Sequence, residues 1–159
     1  RMPARMHEWY LRELYLKNQL VLPDAIRIGG QPLDLERIRQ PLYAVSAEDD
    51  HIAPWRQCFR ICNFVLADKR FVLSSSGHIL GIVNPPTRPP KRTFWVETAH
   101  RVDTAQGWRA RATERQGSWW EDWIEWLEPR CGALVDPPPV STPEYPKLAD
   151  APGTYVLER

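Results

Sequence analysis

The chain contains two polar segments whose side chains could act together in acid–base chemistry. Residues 47–54 are acidic and include Asp50, and residues 74–79 place His78 after three serines and a glycine. Each segment directly follows a short, mostly apolar run that is typical of a buried strand. Reactive groups of open α/β sheets collect beyond the carboxyl ends of the strands. We therefore expect the Asp50 carboxylate and the His78 imidazole to lie within hydrogen-bonding distance at one edge of a sheet.

The order of these segments is typical of α/β-hydrolases, in which the acid and then the histidine of a catalytic triad follow the nucleophile. The acid of a triad accepts a hydrogen bond from the imidazole and fixes its tautomer. His78 follows Asp50 by 28 positions, a separation that leaves room for one crossover helix. Each feature alone has a non-catalytic alternative. The acidic run is also typical of a solvated turn, and the histidine of a structural loop residue. Together the two segments favour catalysis.

His51 follows Asp50 directly and is expected near the same sheet edge. There it would either support the acid and contact substrate, or remain a side chain at a helix N-terminus without chemistry. The serines before His78 do not form a nucleophile elbow, because Leu73 stands where Gly-x-Ser-x-Gly requires its first glycine. We interpret these serines as residues that shape the histidine loop.

The three cysteines do not form a site of their own. Cys58 and Cys62 lie four positions apart on a predicted helix, but no second pair or nearby histidine completes a metal site. We interpret them as small, buried apolar side chains, and the sequence predicts neither a metal nor a cofactor. With Cys131 they make an odd number without a framework spacing, which indicates reduced thiols in a cytoplasmic protein.

Bulk composition argues against two classes of partner. With 21 basic and 20 acidic residues the net charge is +1, so no overall field favours nucleic acid. No apolar run is long enough to span a bilayer. The chain is nevertheless rich in tryptophan, and Trp119, Trp123 and Trp126 recur at helical spacing. Such a stripe is typical of a core-facing helix, and its alternative is a surface that contacts a partner or an apolar polymer.

The pattern along the chain predicts an α/β fold with a few mainly parallel strands, flanking helices and an incomplete sheet. Residues 1–135 are assigned to this fold, with 1–40 as a cap or linking region, and residues 136–159 are predicted to form a proline-rich, irregular tail. Ser118 is a predicted helix N-cap. The predicted elements are helices over 3–20, 54–66, 105–115 and 119–128, strands over 42–46, 70–73 and 93–96, and a hairpin around Gly29 and Gly30.

Five segments together resemble the polyhydroxyalkanoate synthases and occur in that family's order. They are residues 9–12, 48–55, 76–86, 117–120 and 151–156. The resemblance implies the C-terminal part of an α/β-hydrolase catalytic domain with an inserted cap. It also implies an acyltransferase that polymerises (R)-3-hydroxyacyl-CoA into polyester and releases CoA. The family's catalytic aspartate falls on Asp50 and its histidine on His78. Asp50 would orient His78 and help to deprotonate the 3-hydroxyl group that attacks the next acyl unit.

The nucleophile of that family is a cysteine in a Gly-x-Cys-x-Gly elbow, which this chain does not contain. We therefore expect a C-terminal fragment of a longer enzyme that is inactive alone and whose cysteine lies upstream. The resemblance also implies a homodimer when full-length, located in the cytoplasm at polyhydroxyalkanoate granules, with the growing polyester as a partner. Two alternatives remain: an esterase-like or lipase-like part of an α/β-hydrolase, and a non-catalytic module that docks on a granule or partner subunit.

Overall fold

The structure, a computed structural model, describes residues 2–158. Its strands form a two-stranded hairpin and a separate four-stranded sheet, and the described residues also form five short α-helices. The helices are α1 (Ala4–Tyr10), α2 (Trp55–Cys58), α3 (Ile61–Phe64), α4 (Ala105–Arg111) and α5 (Trp119–Leu127); a π-helical segment, Leu11–Leu16, continues α1. The strands are β1 (Ile26–Ile28), β2 (Gln31–Leu33), β3 (Leu42–Ala47), β4 (Lys69–Ser74), β5 (Thr93–Thr98) and β6 (Thr113–Gln116).

The main sheet has the strand order β3-β4-β5-β6, and only its β3–β4 pair is parallel. The β4–β5 and β5–β6 pairs are antiparallel. The predicted mixed α/β class is confirmed, but the prediction of mainly parallel strands is wrong. Two parallel strands need a long crossover, usually a helix, and α2 and α3 supply one between β3 and β4. Residues 75–92 instead form a turn and a proline-rich loop that reverses the chain into β5.

Side chains alternate between the two faces of the sheet, as the pleat of a strand requires. On one face, Phe71 and Leu73 pack with Trp108 of α4 and with residues of α2 and α3. On the other face, Val72 packs with Phe94 and Val96, and Trp119 of α5 lies against them. The sheet is therefore covered by α2, α3 and α4 on one side and by α5 on the other.

Local sequence patterns predicted several of these elements correctly. The hairpin β1–β2 turns at Gly29 and Gly30, whose φ angles of 56° and 80° suit the two-residue turn that glycine favours. The predicted strands over 42–46, 70–73 and 93–96 are present. Ser118 caps α5, because its Oγ accepts a hydrogen bond from the backbone N–H of Trp120 at 3.0 Å.

Three predicted helices have different bounds in the structure. The helix expected over 105–115 ends at Arg111, and residues 113–116 become β6, which pairs with the open edge of β5. The helix expected over 54–66 divides into α2 and α3, with a tight turn at Phe59 and Arg60. The N-terminal helix keeps α geometry only to Tyr10. No helix among the described residues is long and apolar enough to cross a membrane.

Candidate active site

The loops after β3 and β4 lie side by side because the two strands are parallel and end in register, with Ala47 opposite Ser74. Two backbone hydrogen bonds join the loops beyond the strands. The N–H of Glu48 donates to the carbonyl of Ser74 at 2.8 Å, and the N–H of Asp49 donates to the carbonyl of Ser76 at 3.1 Å. The acid loop, residues 48–54, and the histidine loop, residues 75–83, thus lie against each other at the carboxyl edge of this parallel pair.

Asp50 and His78 contact each other at this edge of the sheet. Oδ2 of Asp50 lies 2.8 Å from Nδ1 of His78, so the contact that the sequence predicted is present. Of the three neighbouring acids only Asp50 is buried; Glu48 and Asp49 are exposed, and Glu48 faces Arg109 at 3.7 Å. The geometry therefore selects Asp50 from the acidic run. A catalytic role for the pair stays a prediction.

The other carboxylate oxygen of Asp50 is held by its own loop. Oδ1 accepts hydrogen bonds from the backbone N–H groups of Ile52 and Ala53, both at 2.9 Å. The bond from Ala53 contributes most to lowering the pKa of Asp50; burial opposes it, and the bonds from His78 and Ile52 lower the pKa further. Asp50 is therefore an anion at neutral pH, and its Oδ2 accepts a hydrogen bond from the Nδ1–H of His78.

This pairing fixes the chemistry of the histidine ring. In a neutral imidazole that donates from Nδ1, the remaining nitrogen Nε2 is an acceptor and can take a proton. The His78 side chain is 47% exposed, while that of Asp50 is only 7% exposed. A buried anion thus orients an accessible base, which is the arrangement that acid–base catalysis by histidine requires.

A cleft of about 310 Å³ opens beside His78. Its walls combine the histidine loop with the acid loop, and three of its side chains, Ile52, Ile79 and Leu80, are large, exposed hydrophobic groups. His51 also lines this cleft, but it forms no hydrogen bond with Asp50 or His78 among the described residues. The structure thus places His51 beside the pair, and its supporting role stays a prediction.

The backbone of the histidine loop is tightly constrained. Ser76 has a φ of +83°, in the left-handed region. Two overlapping hydrogen-bonded turns follow it: the N–H of Gly81 donates to the carbonyl of Gly77, and that of Val83 to the carbonyl of Ile79, both at 2.8 Å. A Cβ at Gly81 would lie 2.4 Å from the Cβ of Ala47, whereas a Cβ at Gly77 would meet nothing closer than 3.7 Å. The glycine that the packing requires is therefore Gly81.

The first residues of α5 reach the same loop, a contact that the sequence reasoning missed. The indole N–H of Trp119 donates to the carbonyl of Gly81, and that of Trp120 to the carbonyl of Ile82, both at 3.1 Å. The Ser118 hydroxyl donates to the carbonyl of Asn84. The only signal in the sequence was that residues 117–120 belong to one of the five family-like segments. Helical periodicity shows which side chains share a face, but it does not show which carbonyl groups they bind.

The cysteines lie away from this chemistry. Cys62 is completely buried in the core, and burial raises the pKa of its thiol to about 12. Cys58 is half-buried, with its sulfur 3.5 Å from the carbonyl of Ala53, and Cys131 is exposed. No cysteine forms a hydrogen bond with His78, and the described residues contain no cluster of three metal-ligating side chains.

Curated relatives match this chain over nearly all of its residues, although no family model matches it. The poly(3-hydroxyalkanoate) polymerase subunit PhaC of Cupriavidus necator is 38% identical over 156 residues, which cover 98% of this chain and 26% of that protein. Poly(3-hydroxyalkanoate) polymerase 1 of Ectopseudomonas oleovorans is 38% identical over 160 residues, covering 100% of this chain and 28% of that protein. Over its whole length, the chain is homologous to poly(3-hydroxyalkanoate) polymerases.

The polymerase of Methylorubrum extorquens gives the same result, with 38% identity over 157 residues, 98% of this chain and 26% of that protein. The resemblance drawn from the motifs is therefore confirmed. The chain spans about a quarter of the length of the poly(3-hydroxyalkanoate) polymerases it matches. Because the match extends over nearly every residue, the acid loop, the histidine loop and α5 all lie within the homologous segment.

Proposed function

We propose that this chain supplies the aspartate and the histidine of a Cys-Asp-His triad in a polyhydroxyalkanoate polymerase. The nucleophilic cysteine of that triad lies in polymerase sequence upstream of this segment. The 2.8 Å contact between Asp50 and His78, at the carboxyl ends of adjacent parallel strands, is the observation that carries the proposal. The homology to named polymerases supports it.

The first half-reaction forms an acyl-enzyme. Nε2 of His78 takes the proton of the cysteine thiol, since the thiolate is the nucleophile in attack on a thioester. The thiolate attacks the carbonyl carbon of an (R)-3-hydroxyacyl-CoA, and the carbon–sulfur bond to CoA breaks. The proton on His78 passes to the leaving CoA sulfur, which departs as a thiol. Asp50 stabilises the imidazolium between these two transfers.

The second half-reaction lengthens the polyester. The 3-hydroxyl group of one unit attacks the carbonyl carbon of the acyl-enzyme, an oxygen ester forms, and the carbon–sulfur bond to the cysteine breaks. The hydroxyl proton passes through the imidazole to the departing thiolate, which regenerates the cysteine thiol. Both oxygens of Asp50 are already engaged, one by His78 and the other by two backbone N–H groups. We therefore assign the hydroxyl proton to Nε2 of His78 and let Asp50 assist through the imidazole rather than by direct contact with the hydroxyl.

The cleft beside His78 suits an acyl group. Ile52, Ile79 and Leu80 give it apolar walls next to one polar, reactive nitrogen, which is the usual composition of a small-molecule site. From the family resemblance we propose in addition that the complete enzyme is a homodimer. In this proposal it works in the cytoplasm at the surface of polyhydroxyalkanoate granules.

The test uses the complete polymerase that contains this segment, with (R)-3-hydroxybutyryl-CoA as substrate. We expect His78→Ala to lower the rate of CoA release by about 10³-fold or more, and Asp50→Asn by about 10²-fold or more. His100→Ala is the matched control, because His100 is an exposed loop histidine outside the cleft, and it should leave the rate unchanged. A folded His78→Ala enzyme that keeps at least a third of the normal rate would refute the assignment.

Product analysis separates this proposal from the esterase alternative. A polymerase transfers the acyl group to a 3-hydroxyl, so CoA release should be matched by ester bonds in polymer. Release of free 3-hydroxybutyrate in equal amount to CoA would instead identify water as the acceptor and support hydrolysis.

A further inference from the structure

We propose that the indole N–H groups of Trp119 and Trp120 are positioning groups that hold the His78 loop against Asp50. The inference rests on the proposed function only in so far as His78 is catalytic; the positioning itself is a structural claim. Both tryptophans lie at the start of α5, 41 and 42 positions after His78. They contact the histidine loop although they are distant from it in the sequence.

The histidine loop needs support from outside itself. The His78 side chain is 47% exposed, and its hydrogen-bond partner among the described residues is Asp50 alone. The loop is also entered through Ser76, whose left-handed φ of +83° is unfavourable for a residue with a side chain. The direction of the imidazole therefore depends on how firmly the backbone on its C-terminal side is held.

That backbone is held by α5 through consecutive carbonyl groups. Trp119 binds the carbonyl of Gly81 and Trp120 that of Ile82, each with an N–H···O distance of 3.1 Å between nitrogen and oxygen. The N–H of Gly81 in turn donates to the carbonyl of Gly77, the residue immediately before His78. These hydrogen-bonded turns thus connect the two indole contacts to the backbone of the histidine.

The two tryptophans are themselves fixed relative to the strand that leads to Asp50. The ring of Trp119 lies 6.3 Å from that of Tyr43 on β3 and 6.3 Å from that of Trp120, the latter at an interplanar angle of 80°. Tyr43 is bound through its hydroxyl to Asp122 of α5 at 2.8 Å. Strand β3 therefore fixes both groups relative to each other. Asp50 lies in the loop that follows β3, and of the two indoles that hold the histidine loop, that of Trp119 packs against Tyr43 of the same strand.

The test replaces each indole in the complete polymerase by a ring without the N–H group. Trp119→Phe and Trp120→Phe are the first variants. Incorporation of 3-benzothienylalanine at either position keeps the bicyclic shape and removes only the donor. Trp123→Phe is the matched control. The indole nitrogen of Trp123 makes no hydrogen bond with a described residue, and a phenyl ring keeps an aromatic side chain beside Trp119, whose ring lies 6.2 Å from that of Trp123.

Two readouts separate positioning from general loss of structure. The first is the low-field proton signal of the His78 Nδ1–H in ¹⁵N-histidine-labelled protein, assigned by its absence from the His78→Gln variant. The second is the split between kcat and KM for (R)-3-hydroxybutyryl-CoA. We expect the signal to broaden or vanish in each donor-free variant, and kcat to fall about tenfold for one change and about a hundredfold for both, with KM within about twofold. Trp123→Phe should change neither.

An unchanged Nδ1–H signal and an unchanged kcat in the benzothienylalanine variants would overturn the proposal, since the donor would then be dispensable. The signal readout also keeps this inference separate from the proposed function. If the donor-free variants lose the signal while His78→Ala keeps full turnover, the positioning is supported and the catalytic assignment of His78 is refuted.

Discussion

Removing the buried carboxylate of Asp122 should strongly destabilise this fold, because that carboxylate joins α5 to the sheet. Its side chain is 0% exposed. Oδ2 accepts hydrogen bonds from the Tyr43 hydroxyl and from Nε of Arg70, both at 2.8 Å, and Oδ1 accepts from Arg70 and, at 3.2 Å, from Arg115. Asp122→Ala leaves the Tyr43 hydroxyl and the Arg70 guanidinium without this partner.

The size of the loss follows from how far each partner is buried. Breaking a buried ion pair by removing one member costs about 3–5 kcal/mol. Arg70 keeps 29% of its side chain exposed and can recover some hydration, so the lower part of that range applies. Arg115 is 45% exposed, and its contribution is about 0.5 kcal/mol because solvent screens it. We expect Asp122→Ala to lower the free energy of unfolding by about 3–4 kcal/mol.

Urea unfolding followed by tryptophan fluorescence measures this loss. Arg115→Ala is the matched control and should cost about 0.5 kcal/mol. A loss below about 1 kcal/mol for Asp122→Ala at pH 7 would show that the carboxylate does not anchor α5. Because α5 also carries the indoles that hold the histidine loop, the same variant should weaken the Nδ1–H signal of His78.

The same carboxylate gives a pH dependence with a defined sign. Burial acts to raise the pKa of Asp122, but the hydrogen bonds from Arg70 and Tyr43 and the charges of Arg70 and Arg115 outweigh burial, so the pKa is lowered. A group whose pKa is lower in the folded than in the unfolded protein stabilises the fold above its unfolded pKa, about 3.9 for aspartate. The stability difference between the natural chain and Asp122→Asn should therefore be constant near neutral pH and shrink as the pH falls below about 4.

Three further outcomes follow from particular contacts. Gly81→Ala places a Cβ 2.4 Å from that of Ala47; we expect a loss of about 1–3 kcal/mol in thermal unfolding, as for overpacked cores, with partial rescue by Ala47→Gly. An unchanged melting temperature would contradict this. Thiol labelling read by mass spectrometry should modify exposed Cys131 rapidly and buried Cys62, whose thiol pKa is about 12, only after denaturation; early labelling of Cys62 would count against the described core. Finally, the 159-residue chain alone should release no CoA from (R)-3-hydroxybutyryl-CoA, because it lacks a Gly-x-Cys-x-Gly elbow, and measurable release would disprove that expectation.

What the sequence predicted well was encoded locally. The paired glycines at 29 and 30 determine a hairpin turn, and Ser118 marks the start of a helix, because turn and cap preferences act over a few residues. The meeting of Asp50 and His78 was predictable for a related reason. Each residue follows a recognisable strand, and a crossover helix between two strands makes them parallel, so their loops must share an edge.

What the sequence did not predict depends on distant partners. Residues 113–116 are Thr-Glu-Arg-Gln, all exposed, and carry no apolar alternation that would distinguish an edge strand from a helix end. They become β6 only because β5 offers unpaired backbone groups. The indole contacts of Trp119 and Trp120 join residues 38 positions apart, and periodicity carries no information on which carbonyl a donor will meet. The requirement for glycine at position 81 likewise arises from atoms outside its own position, the Cβ of Ala47 on β3 and the carbonyl oxygen of Gly77.

These contacts show which part of the proposed active site this segment can build by itself. The groups that fix Asp50 are the backbone N–H groups of Ile52 and Ala53, and the groups that hold the histidine loop are the acid-loop backbone, Ala47 and the start of α5. All of them lie within this chain. The distance from carboxylate to imidazole is therefore set by local folding around β3 and β4. In the triad that we propose, the approach of the nucleophile to Nε2 would depend on how the rest of the polymerase packs against the exposed cleft. This separation explains why the acid–histidine pair can be complete in a chain for which we propose no activity alone.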